Sequence, residues 1–89
     1  MNVRVAERLR EFILDSYLFG DAERMPADSD SLLQTGVLDS TGVLELIEFL
    51  EAEFDISVEE SETVPANLDS VAGLVRYVVS KRSQVEGVA

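Results

Sequence analysis

Histidine and cysteine, the side chains that most often act as bases, nucleophiles and metal ligands near neutral pH, are both missing from this chain. That leaves mainly hydroxyls and carboxylates, with the one lysine, Lys81, to do any chemistry. Two Asp-Ser pairs stand out, Asp39-Ser40 and Asp69-Ser70, each directly ahead of an apolar-periodic segment. Asp39 is a good N-cap for the segment from Ser40 to Phe54. Ser40 then falls at the mouth of a helix, where free backbone N–H groups and the helix dipole favour a phosphate. The junction would be exposed, so another enzyme could reach the hydroxyl. Read alone, such a pair is only a helix cap. The Asp28-x-Asp30 pair suggests calcium, but Leu33 stands where a calcium loop needs glycine, and Asp39 where it needs glutamate. A standard EF-hand is therefore rejected.

The wider stretch Gly36-Val37-Leu38-Asp39-Ser40-Thr41-Gly42-Val43-Leu44-Glu45-Leu46 carries more information. It resembles the phosphopantetheine attachment motif of acyl and peptidyl (aminoacyl) carrier proteins, a Gly-x-x-Asp-Ser run followed by an amphipathic helix. The likeness continues through Phe49 to Ile56, through Pro65-Ala66-Asn67-Leu68-Asp69-Ser70, and into the final segment with Tyr77. It covers most of the chain in the family's order. Thr41 departs from the larger apolar residue, often leucine, that follows the serine in this family. The Asp-Ser-Thr-Gly-Val-Leu-Glu-Leu run is closer to stand-alone carriers loaded by adenylating ligases.

The resemblance implies that Ser40 is the attachment point of a 4'-phosphopantetheine arm taken from coenzyme A, with Asp39 beside it. The implied partners are a phosphopantetheinyl transferase, an acyl- or aminoacyl-adenylating ligase, and downstream acyl-processing enzymes. The chain itself is then no enzyme. The arm would supply the thiol that a chain without cysteine cannot. Asp69-Ser70 matches the family's last-helix start, so it reads as a cap. Cargo and pathway stay open, with specialised metabolism or aminoacyl transfer favoured by Thr41.

The elements that must hold this site are helical, with no alternating strand pattern. From Val3 to about Leu18, Val5, Leu9, Phe12 and Ser16 form one row and Ala6, Leu9, Ile13 and Tyr17 a second, with Arg4, Glu7, Arg8 and Glu11 turned to solvent. Phe19 to Leu38 is a long connection, with Leu32, Leu33, Val37 and Leu38 tying its second half to the core. At about 100° per residue, the second helix points Val43, Ile47, Leu50 and Phe54 inward. Thr41, Leu44, Glu45, Glu48 and Ala52 fall outside. Leu44 beside Glu45 and Glu48 makes an apolar anchor with an acidic rim, a partner-docking patch; the bland alternative buries Leu44 under the long loop. Gly42 weakens the first turn slightly. Glu59, Glu60 and Glu62 open a short helix that Pro65 ends. The last helix runs from Asp69 or Ser70 to about Lys81, with Val71, Leu74, Val75 and Val78 buried and Lys81 and Arg82 at its C-terminus.

The expectation is an all-α, small four-helix bundle of acyl-carrier type, with three main helices, one short one, and a long loop between the first two. Residues 1–82 form the carrier domain and 83–89 a frayed tail. With 89 residues and 46% apolar content, one modest core is available. The formal charge of −11, from 7 basic and 18 acidic residues, argues against nucleic acid and anionic membranes. It favours basic protein surfaces. No apolar run is long enough to span a bilayer, the N-terminus lacks a secretory h-region and cysteine is missing, so a cytoplasmic protein is expected, and a carrier that visits several enzymes is expected to be a monomer. The competing function is an unmodified acidic adaptor that binds a basic partner through the second helix.

Overall fold

A computed structural model describes the backbone of residues 3–87 and the side chains of residues 3–82. The chain is a small helical bundle, with no strand among the described residues. Its helices are α1 (Val3–Tyr17), α2 (Ser40–Phe54), the single-turn α3 (Pro65–Leu68) and α4 (Val71–Gly87). Short 3-10 turns cover Ala22–Arg24 and Glu60–Glu62. No helix among the described residues is long and apolar enough to cross a membrane.

The core follows the apolar spacing. Val5, Ala6, Leu9 and Ile13 of α1 are buried, and α4 contributes Val71, Leu74, Val75, Tyr77 and Val78. Helix α4 is central, touching α1, α2 and α3. Helices α1 and α2 meet through long side chains. Phe12 stacks on Phe49 with ring centroids 4.1 Å apart, and Phe49 meets Phe54 edge-on. Arg8 pairs with Glu53, and Tyr17 reaches Gly42. These pairings run in opposite sequence directions, so α1 and α2 are antiparallel.

The inward stripe of α2 is rotated from the expected one. Gly42, Leu46, Leu50 and Phe54 are buried, whereas Val43 and Ile47 are only half-buried. The apolar face is wide enough for either orientation. Leu46 and Leu50 are the deepest residues of α2, while Phe49 turns to stack on Phe12 of α1.

The long connection is fastened by hydrogen bonds the sequence gives no sign of. Leu32 and Leu38 are buried and Val37 half-buried, but Leu33 is exposed, correcting its assignment as an anchor. Asp69 is also not the cap of α4. Its carboxylate accepts from the Leu33 N–H and the Ser31 hydroxyl, and its carbonyl accepts from Leu32 N–H at 2.7 Å. Ser70 does the capping, its Oγ accepting from Gly73 N–H at 3.0 Å. Arg10 adds a tie to Asp28, whose carbonyl accepts from Ala72 N–H.

Pro65 opens a helix rather than ending one. The glutamates form only a 3-10 turn, and Pro65 begins α3, where its fixed φ and missing N–H cost nothing. Helix α4 continues beyond Lys81 to Gly87, which places Lys81 away from the C-terminal end of the helix. Lys81 Nζ instead donates to Glu62 Oε1 at 2.9 Å, and the Tyr77 hydroxyl donates to the same oxygen. Of the expected frayed tail, the backbone of 83–87 belongs to α4, and residues 88–89 lie outside the described residues.

The ammonium of Lys81, the Glu59 N–H and the Tyr77 hydroxyl hold the Glu62 carboxyl below its ordinary pKa. A depressed carboxylate pKa gives stability that is complete above the unfolded value, near 4.5. That stability is lost as pH falls through the folded value. Glu62→Gln should therefore lower the thermal midpoint at pH 7, and its gap from wild type should narrow as pH falls below about 4.5. Parallel melting curves at pH 7 and at successively lower pH below about 4.5 test this; a constant gap would dissociate Glu62 from acid lability.

Candidate functional site

The site is built at the end of the bundle where α1 stops and α2 starts. A turn at Gly36, with φ +80, lets the chain reverse after Leu33, and the Leu38 N–H then donates to the Leu32 carbonyl at 3.0 Å. With Leu38 buried, the next residues must emerge. Asp39 adopts an extended backbone, and its Oδ1 accepts the Gly42 N–H at 2.7 Å. This is the cap the sequence predicts. Ser40 is the first helical residue and is exposed. Its hydroxyl makes no hydrogen bond among the described residues, and the first-turn N–H groups of Ser40 and Thr41 precede the intrahelical ladder.

Gly42 has a use that its helix propensity hides. It is buried, and its carbonyl accepts from the Tyr17 hydroxyl at 2.8 Å. A Cβ there would lie 3.2 Å from Asp39 Oδ1, Leu38 Cδ1 and Tyr17 Cε1. The glycine thus lets α1 close over the first turn of α2 and leaves the cap undisturbed. Burial, together with the charges of Glu45 and Asp39, pushes the Tyr17 phenol up to about 12. It remains a protonated donor at neutral pH. Sequence reasoning placed Tyr17 only on the apolar stripe of α1; no spacing rule pairs its hydroxyl with Gly42.

The outward face of α2 is as expected. Thr41, Leu44, Glu45 and Glu48 are all exposed, with Leu44 at 64%. They follow i, i+3, i+4, i+7 spacing and share one helix face. The loop does not cover Leu44. Beside the site, Leu33, Leu38, Val43, Val64 and Leu68 line an apolar cleft of about 80 Å³. That is well below the roughly 300–1,000 Å³ of small-molecule pockets.

A serine needs an adjacent base to act as a catalytic nucleophile. Asp39, the adjacent carboxylate, is committed to the Gly42 N–H. Neither a family model nor a curated protein sequence matches this chain.

Proposed function

We propose that this chain is a carrier protein that bears a 4'-phosphopantetheine arm on Ser40 and delivers an acyl or aminoacyl group between enzymes. The observation that carries the reading is the exposed Ser40 hydroxyl, without a hydrogen-bond partner among the described residues, at the capped start of α2 and inside the motif that resembles the carrier family. The residues fit the group. Asp39 holds the third N–H of the helix, which leaves the first two for a phosphate on Ser40. When attached, the arm supplies the thiol on which cargo is held as a thioester.

Attachment uses coenzyme A and a separate transferase. The Ser40 Oγ–P bond forms as the P–O bond to adenosine 3',5'-bisphosphate breaks, and the hydroxyl proton passes to a base on the transferase. An adenylating ligase then loads the arm and acyl-processing enzymes unload it. Thr41, Leu44, Glu45 and Glu48 form the docking face these partners read. Transit among several enzymes suits a monomer working in the cytoplasm.

Intact mass after incubation with coenzyme A and a broad-specificity phosphopantetheinyl transferase tests this. A single adduct is expected. None, from folded protein beside a modified control carrier, would leave the acidic adaptor reading in its place. That second reading is favoured by the same Leu44 patch with its acidic rim, which needs no modified serine. The readings part at the double variant Glu45→Lys/Glu48→Lys. In a carrier it slows modification, with a loss of roughly tenfold or more in kcat/KM at low salt. An unchanged rate would remove these glutamates from the transferase-facing surface.

A further inference from the structure

Phe19 is the most exposed large apolar side chain among the described residues, at 87%. It also carries a left-handed backbone, with φ +53. A bulky residue rarely adopts that conformation, and it persists only when the surroundings impose it. Here they do. Leu18 is buried against the core, Gly20 follows at φ +84, and the Gly20 N–H returns to the Leu14 carbonyl at 2.9 Å. Glycine or asparagine would take this position with less strain and expose no ring to water. Neither core packing nor local geometry therefore accounts for phenylalanine.

Its place in the fold suggests an account. The pairings Arg8 with Glu53, Phe12 with Phe49 and Tyr17 with Gly42 set the antiparallel register of α1 and α2. Phe19 lies two residues beyond Tyr17, whose hydroxyl and ring edge lie against Gly42 in the first turn of α2, so the turn that carries Phe19 begins at the end of the bundle that holds Ser40. Leu44 lies roughly 6 Å along the axis of α2 from Ser40 at 1.5 Å per residue. Neighbouring helices lie roughly 10 Å apart. A standard interface covers about 800 Å² per partner, a patch on the order of 16 Å in radius. An enzyme acting directly on the Ser40 hydroxyl must centre such a patch there. Enzymes that act at the far end of a long arm are free to stand off. In the segments 21–24 and 39–48 the exposed charged residues are Asp21, Glu23, Asp39, Glu45 and Glu48 against Arg24, which gives the patch a net acidic rim.

We infer that Phe19 is a second apolar anchor beside Leu44, inserted into an apolar socket with a basic rim on the phosphopantetheinyl transferase that modifies Ser40. This rests on the carrier reading and deepens it. The anchor acts on encounter and residence, not on phosphoryl transfer itself.

The test compares wild type, Phe19→Asn and Phe19→Tyr as substrates of a broad-specificity phosphopantetheinyl transferase with coenzyme A, together with their thermal midpoints. Phe19→Asn should raise KM roughly tenfold, the size of a moderate hot spot, with kcat nearly unchanged. Its thermal midpoint should equal or exceed that of wild type, because asparagine relieves the backbone. Phe19→Tyr should keep most of the affinity. A kcat/KM within twofold of wild type for Phe19→Asn would overturn the inference, as would loss of its folded state, which would make Phe19 structural. Failure of wild type to accept the group would sink the carrier reading as well, and that result is distinct from either.

Discussion

Ser40→Ala is expected to abolish phosphopantetheine attachment completely while leaving the bundle as stable as before. The two halves of this expectation come from the same geometry. Ser40 is exposed at the first position of α2, and its hydroxyl supports nothing in the fold. The cap belongs to Asp39, through its 2.7 Å hydrogen bond to Gly42 N–H, and alanine at the next position leaves it intact. A surface change of this kind moves stability by about 0.5 kcal/mol or less. The chemical effect is absolute because Oγ is the atom that would bond to phosphorus. Thr41 is no substitute one residue on, since about 100° of helix rotation turns its hydroxyl to a different direction. Intact mass reads the adduct and thermal melting reads the fold. An adduct on Ser40→Ala would move the attachment elsewhere and dissolve the argument built on α2.

The start of α2 was legible because several local signals coincide there: an aspartate that caps, a serine outside the apolar stripe, and apolar residues recurring at helical spacing. The outward position of Leu44, Glu45 and Glu48 followed from that spacing alone. The depth of burial did not. Val43 and Leu46 both belong to the apolar face, and which of them is buried depends on how α2 packs against α1 and α4. The closure of the long connection was equally hidden. It depends on Asp69 meeting Ser31 and Leu33, and on Arg10 meeting Asp28, contacts between residues far apart in sequence. Asp69-Ser70 has the same residue types as Asp39-Ser40 but divides its labour differently. In the first pair the aspartate caps; in the second the serine caps and the aspartate fastens the loop. Type and order cannot separate these cases, because what differs is the neighbour each carboxylate finds after folding. Lys81 shows the same limit. Its place near the end of the chain suggested a dipole partner, yet Glu62 lies within reach and takes it.

Gly73→Ala is expected to be among the most damaging single substitutions, against the usual direction for a helical glycine. Inside a helix, alanine normally gains about 1 kcal/mol over glycine. Here an added Cβ would sit 2.7 Å from the Ala66 carbonyl oxygen and 3.1 Å from Ser70 Oγ. The first obstacle is backbone, so no side chain can rotate away from it. Helix α3 would have to retreat from α4. It carries Leu68, which is 4% exposed, and it ends at Asp69, on which Ser31, Leu32 and Leu33 depend. Overpacking of this kind costs about 1–3 kcal/mol, and the retreat adds loss at Leu68. The net effect should be a destabilisation of roughly 2 kcal/mol, or about 10 °C in the thermal midpoint of a domain this size. The strain falls on the segment that fastens Leu32, to which Leu38 is hydrogen-bonded just before Asp39 and Ser40. Gly73→Ala should therefore also broaden amide resonances around Ser40, although it lies on another helix. A thermal midpoint at or above that of wild type would mean that α3 and α4 are not in such close contact, and the coupling from α4 through Asp69 to the site would fall with it.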